Sequence, residues 1–158
     1  MAYQRLQVTR ALKVHKTNSG IDIPDPDFAG ITGTNATSTT NKLTVAGTDT
    51  FTAKTVQTGY IVENVSTGAY ARVAAIDSGT QLTLSGDIFS TAGSKYQIYS
   101  QSTRGCVLYV GAGGTMRVIT AAGDDVTYQG VPVGVFLPIQ VIRVVETGTS
   151  ASGFIAHW

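Results

Sequence analysis

Few residues of this chain have a type and spacing that could do chemistry. The loop Gly111-Ala112-Gly113-Gly114 has the glycine density of a phosphate cradle. It lacks the third glycine of a dinucleotide fingerprint, because Met116 holds that place, and the pattern that follows is a strand, not a helix. The expected reading is a hairpin turn, since glycine reaches positive φ without steric cost. Asp22, Asp25 and Asp27 could face a hard cation. Pro24 and Pro26 hold them apart, and their spacing is not that of an EF-hand loop, so a solvated extended segment is expected. Nucleophilic catalysis needs a nucleophile, a base and an orienting group. Cys106 leads an apolar run, the setting of a buried, inert thiol. His15 lies between Val14 and Lys16 in an expected strand, and His157 is the penultimate residue. No serine sits in a G-x-S-x-G elbow. Asp124 and Asp125 are adjacent on an expected turn, where their side chains point apart. No catalytic, cofactor-binding or metal-binding residue is expected, and the chain is expected not to be an enzyme.

Composition supports this reading. The 158 residues include 11 Lys+Arg and 10 Asp+Glu, a net charge of +1, and only 13% are charged. That is about half the common share. A strongly basic nucleic-acid binder is excluded, because cations and anions nearly cancel. With 42% hydrophobic residues the chain is not a disordered tail. A single cysteine excludes an internal disulfide. The first residues lack the apolar core of a signal peptide. The most apolar stretch, 131–145, contains Pro132, Gly134, Pro138, Gln140 and Arg143 and does not read as a membrane span. Synthesis in the cytoplasm is expected. Asn35-Ala36-Thr37 and Asn64-Val65-Ser66 match the glycosylation pattern, and are read as chance matches in a Thr/Ser-rich chain. Arg5, Arg10, Lys13 and Lys16 precede the first acid, Asp22. They suit a solvated strand face, docking to a protein or, least of all, nucleic acid; only Tyr3 could stack on a base.

The elements that must position these residues are strands. No window sustains helical apolar periodicity. Short β-branched and aromatic runs recur instead, each closed by Gly, Asp, Asn or Ser. The middle carries five: 42–46 (KLTVA), 60–65 (YIVENV), 69–76 (AYARVAAI), 81–85 (QLTLS) and 95–99 (KYQIY). Five strands joined by tight turns suggest a small barrel, which closes its own edges. Between the fourth and fifth lies a looser stretch, 86–94. In the last third, 106–110 (CVLYV) is expected to meet 116–120 (MRVIT) across the glycine loop. Strands follow at 126–128, 135–145 and 153–158. Pro138 must sit at an edge or a break in the long strand, because it cannot donate to a ladder. Gln140 and Arg143 are three apart and cannot share a strand face, so a bulge is expected there. Near the N-terminus a strand is expected at 10–15, an extended segment at 21–28, and a Thr/Ser/Gly/Asn-rich linker at 30–41.

Residues 104–158 (GCVLYVGAGGTMRVITAAGDDVTY, then VPVGVFLPIQVIRVVETGTSASGFIA) present ordered parts: an LYVG run, a Gly-Gly turn, a Gly-Asp turn, a V-P-x-G segment, a Pro-containing strand and a T-G-T turn. In that order they resemble the head spike-base proteins of gene transfer agents and related tailed phages. The segment Ser19-Gly20-Ile21-Asp22-Ile23-Pro24 is similar to a short motif those proteins carry upstream of the LYVG strand. The intervening residues resemble small β modules of marine and cyanobacterial phage structural proteins. The resemblance implies an all-β fold: residues 1–29 plus 104–158 as a short-stranded sandwich or barrel, interrupted at 30–103 by a small SH3-like barrel. Domain insertion is tolerated at exposed turns.

It also implies a function. The expectation is a virion structural protein on the capsid exterior, a head decoration or vertex spike base, made in the host bacterial cytoplasm. Its partners would be the major capsid protein or adjacent virion proteins, further copies of itself as a trimer or pentamer, and a possible fibre protein, with no nucleic acid, membrane or cofactor. The large apolar residues Leu108, Tyr109, Val110, Phe136, Phe154 and Trp158 are the expected interface. Alternatives are a tail or baseplate component, and a glycan-binding module using Tyr60, Tyr70, Tyr96, Tyr99 or Trp158 as stacking platforms.

Overall fold

The computed structural model describes residues 9–47 and 50–158. Arg5 and Tyr3 of the basic arm lie outside them. The described residues are almost entirely β, in two antiparallel sheets of six strands each. The first strands are β1 (Ala11–Lys13), β2 (Ala29–Thr34), β3 (Lys42–Thr44), β4 (Ile61–Asn64), β5 (Ala69–Ser78) and β6 (Gln81–Leu84). Then come β7 (Lys95–Tyr99), β8 (Cys106–Ala112), β9 (Gly114–Thr120), β10 (Asp125–Val131), β11 (Val135–Val145) and β12 (Ser152–His157). A 3-10 turn, Pro26–Phe28, is the only helical element among the described residues.

The chain divides into two compact units. One holds the described residues up to Asn18 together with Thr103–Trp158; the other is Ser19–Ser102. The sequence reading put the first crossing after residue 29. Residues 19–29 instead build on the second unit, for a packing reason. Ile21 is buried in a cluster with Ile61, Tyr70 and Tyr99. The Asp25 N–H donates to the Gln101 carbonyl at 3.1 Å, and Pro24 bridges Ser102.

In the first unit the strand order is β1-β12-β8-β11-β9-β10. The expected hairpin between β8 and β9 does not form, because β11 lies between them. Val135 pairs with Val110 of β8 at one end of β11, and Val145 pairs with Arg117 of β9 at the other. Those ends are ten residues apart, about 33 Å if extended, yet β8 and β9 are separated in the chain by Gly113 alone. The sheet must therefore coil sharply, and the glycines make its corner. A Cβ on Gly113 would lie 2.5 Å from the Val131 carbonyl oxygen, and one on Gly111 would lie 2.8 Å from that of Gly153. Glycine is needed here for close backbone approach, not for a hairpin turn. The long strand is bulged as expected. Four steps of β11, Phe136 to Gln140, face two of β8, which takes Pro138 out of the ladder; a second shift lies between Val141 and Arg143.

The second unit has the order β2-β7-β4-β5-β6-β3. Its two edge strands approach each other where the Ala36 N–H donates to the Thr44 carbonyl at 2.7 Å. The core holds Leu43, Phe51, Val62, Val73, Leu82, Phe89, Tyr96 and Ile98. Two expectations are corrected. The linker at 30–41 begins with a strand, β2, whose small residues hid it; pairing with β7 and burial of Ile31 hold it. The stretch 86–94 is not loose. Phe89 is 0% exposed, the Asn64 Nδ2 donates to the Ile88 carbonyl at 2.6 Å, and the Asn35 Nδ2 donates to the Thr91 carbonyl at 3.2 Å. Both asparagines of the glycosylation matches are thus buried clamps, each 1% exposed, and cannot accept a glycan in the folded chain.

Candidate functional site

Strand alternation decides which side chains of the first unit can be reached. In β8, Cys106, Leu108 and Val110 face inward, so Val107 and Tyr109 face outward. In β12, Phe154 and Ala156 face inward, and Ile155 and His157 outward. Of the six expected interface residues, Leu108, Val110 and Phe154 are therefore core, at 0%, 0% and 1% exposure. A large apolar residue flanked by two others in a strand cannot share their face, so residue size alone mixes core with surface.

The other three lie differently. Register places Phe136 of β11 opposite Tyr109 of β8, Tyr109 opposite Ile155 of β12, and Ile155 opposite Lys13 of β1. These four form one row across four strands. Phe136 is 51% exposed and Ile155 36%. The Tyr109 and Phe136 rings are 5.3 Å apart and tilted at 58°, and the Phe136 and His157 rings are 5.2 Å apart, edge to face. Such geometry suits aromatic attraction. The Nδ1 of His157 is buried without a hydrogen-bond partner, an arrangement that costs about 1–3 kcal/mol. Trp158 is half-buried; its Nε1–H donates to the Thr103 hydroxyl at 2.8 Å. At the sheet's edge, β1 pairs with β12 on one side only, and a shallow apolar groove lined by Ala11, Lys13, Gly153, Phe154 and Ile155 runs beside it.

The residues read first for chemistry go to separate structural tasks. The Asp25 carboxylate accepts the Asp27 N–H at 3.0 Å and caps the 3-10 turn. The Asp124 carboxylate accepts from the Thr120 hydroxyl at 3.2 Å. Asp125 pairs with Arg117 through two hydrogen bonds, at 2.9 and 2.6 Å; this guanidinium holds its carboxyl below the usual range. The buried Cys106 thiol donates to the Val141 carbonyl at 3.2 Å. Burial, and then the Lys13 charge, lower the His15 pKa. Among the described residues no three His, Cys, Asp or Glu side chains converge as a metal site, and no helix is long and apolar enough to cross a membrane.

Sequence reading missed one polar pair. In the second unit the Tyr99 hydroxyl donates to the Glu63 carboxylate at 2.8 Å, and both residues are buried. The alternation of YIVENV marks Glu63 only as polar; the pairing of β4 with β7 brings Tyr99 to it. Of the possible stacking platforms, Tyr70, Tyr96 and Tyr99 are buried at 6%, 2% and 4% exposure, and cannot present a ring face. Tyr60 and Trp158 are partly exposed.

Compared with known proteins, the chain matches no family model, no curated protein and no solved structure.

Proposed function

We propose that this chain is a non-enzymatic structural protein of a tailed-phage particle, carried on the capsid exterior as a head decoration or vertex spike base. It works through protein–protein contact: with further copies of itself as a trimer or pentamer, and with the major capsid protein or an adjacent virion protein. The first unit makes those contacts, and the second is a module that a fibre protein can engage. The observation that carries this reading is the row Phe136–Tyr109–Ile155 with His157 beside it. It is an aromatic and aliphatic patch on the outer face of a sheet whose inner face already has its own core. Apolar surface of this kind marks interaction sites when it is contiguous. The ordered likeness of residues 104–158 to spike-base proteins, and an all-β chain poor in charge, support the particle assignment.

The test is the absolute mass of the purified protein in solution, by light scattering on a sizing column, beside Phe136→Asp. Phe136 is half-exposed and the buried core does not depend on it, so the variant keeps its fold. The expected result is a trimer or pentamer that falls to monomer in the variant. A pentamer matches a capsid vertex; a trimer matches decoration at local three-fold positions. A wild-type monomer at high concentration, or an oligomer that Phe136→Asp leaves intact, overturns the assignment of this face.

A further inference from the structure

A cleft of about 220 Å³ opens on the second unit, lined by Gly30, Ile31, Lys54, Val56, Tyr60, Ile98 and Ser100. Two irregularities of the backbone shape it. Strand β2 carries one extra residue between Ala29 and Thr32 against β7, so Gly30 and Ile31 lie on a bulge beside Ile98. Bulges re-aim side chains and recur beside binding sites. On the other wall, Thr55 has φ +52°, a left-handed conformation that a β-branched residue adopts at a cost of about 1–3 kcal/mol. Two backbone bonds hold it there, Thr55 N–H to Thr52 carbonyl at 3.1 Å and Val56 N–H to Phe51 carbonyl at 3.0 Å. The residues on either side of it, Lys54 and Val56, both line the cleft.

The lining has a definite chemistry. Ile31, Val56 and Ile98 give an apolar floor. Tyr60 is half-buried, packed on the core and also bordering the cleft. Lys54 is exposed and makes no ion pair or hydrogen bond among the described residues, and Ser100 adds a hydroxyl. An aromatic side chain with an apolar floor suits the C–H face of a pyranose, a hydroxyl suits its ring substituents, and an exposed ammonium favours an anion. The volume is below the ~300 Å³ where drug-sized ligand pockets begin, so it admits a single ring. We propose that this cleft binds one carboxylate-bearing sugar ring, a hexuronate, with its ring against Tyr60 and its carboxylate on Lys54. This inference is independent of the particle assignment, because it concerns the other unit and a different class of ligand.

The experiment is a titration of the full chain with sodium glucuronate, followed by amide chemical shifts. Glucose serves as the neutral twin and acetate as the bare carboxylate. The expected dissociation constant is about 1 mM or weaker, given the few atoms of one sugar ring. Shifts should centre on Gly30, Ile31, Lys54, Tyr60 and Ser100. Lys54→Gln should weaken glucuronate binding about fivefold and leave glucose unchanged, as expected for one exposed charge contact. Tyr60→Ala should abolish binding; because Tyr60 also packs on the core, the exposed Lys54 carries the decision. No shift at these residues at tenfold above about 1 mM glucuronate overturns the proposal. Glucose binding as tightly as glucuronate overturns the anionic class, and acetate reproducing the glucuronate shifts overturns the sugar. A Lys54→Gln variant with unchanged glucuronate affinity overturns the role of the ammonium.

Discussion

The two units obey the same strand alternation but differ in where most of their aromatic residues lie. In the second unit Phe51, Phe89 and Tyr96 point inward and are at most 2% exposed. Phe51 and Tyr96 face each other across 6.4 Å. Polar side chains support them from within: Asn35 and Asn64 clamp the segment around Phe89, and Glu63 accepts from Tyr99. In the first unit the inward positions of β8, β9, β11 and β12 hold Leu108, Met116, Val141, Ala156 and their like. Of its aromatics Phe154 is buried among them, while Tyr109 and Phe136 stand on the outside. The second unit places most of its aromatics in its own packing. A sheet that turns them outward leaves apolar area for something to cover, and residue size alone does not tell the two apart.

The largest effect expected from a single change separates the two constructions. Gly113→Val should destabilise the first unit by about 3–4 kcal/mol, because its new Cβ meets backbone that cannot move aside. Hydrogen exchange checks it. Amides of β8, β9 and β11 should lose protection while those of β4, β5 and β7 keep theirs; equal loss in both would show that the two do not unfold separately. The second unit should break at its polar clamps instead. Asn64→Ala removes the amide bonded to the Ile88 carbonyl, and the oxygen that accepts the Ser66 and Thr67 N–H groups at 3.0 and 3.2 Å. It should cost about 2 kcal/mol in urea unfolding. Asn35→Ala, whose bonds are longer at 3.2 and 3.4 Å, should cost less. Equal costs would show that the clamps do not act through these bonds.

The smallest effect sharpens the contrast through pH. Burial first, and then the charge and hydrogen bond of Glu63, raise the Tyr99 pKa far above its ordinary value; burial raises that of Tyr96 in the same direction. The unfolded chain therefore releases the phenolic proton first, near pH 10. The stability due to the neutral phenol is complete below that pH and declines as pH rises above it, by about 1 kcal/mol per pH unit. Urea midpoints on either side of pH 10 should show this decline in the second unit. Glu63→Gln keeps an acceptor for Tyr99 but removes the charge, so the decline should keep its slope and level off at a lower pH. An unchanged end point would mean that Glu63 does not act on Tyr99 through its charge.

Much of the fold was legible because strand signals are local. The runs KLTVA, YIVENV, QLTLS and KYQIY coincide with β3, β4, β6 and β7 within two residues at each end, and 135–145 is β11 itself. The break at Pro138 and the bulge near Arg143 followed from period and from proline's missing N–H. Strand β2 (AGITGT) escaped, since it has one large apolar residue and no alternation. The outward row was half legible. Size and apolarity single out Tyr109 and Phe136 as interface residues, but not Ile155 and His157. Their membership depends on three strands lying side by side, a relation between distant parts of the chain.

The sequence alone determined that this protein is made of short antiparallel strands, that it cannot staple itself with disulfides, and that Pro138 must fall at a break. Each of these depends on a residue's own geometry or on neighbours within a few positions. Only the tertiary structure decided that β11 lies between β8 and β9, and so that the glycines between those two form a corner instead of a hairpin. It alone decided that two Asn-X-Ser/Thr matches are internal clamps, and that Phe136, Tyr109 and Ile155 form a row. Strand order and register are set by which faces can be buried together across the whole chain. No local pattern carries that information, because a strand of the same composition fits several neighbours and one residue of slip exchanges its faces.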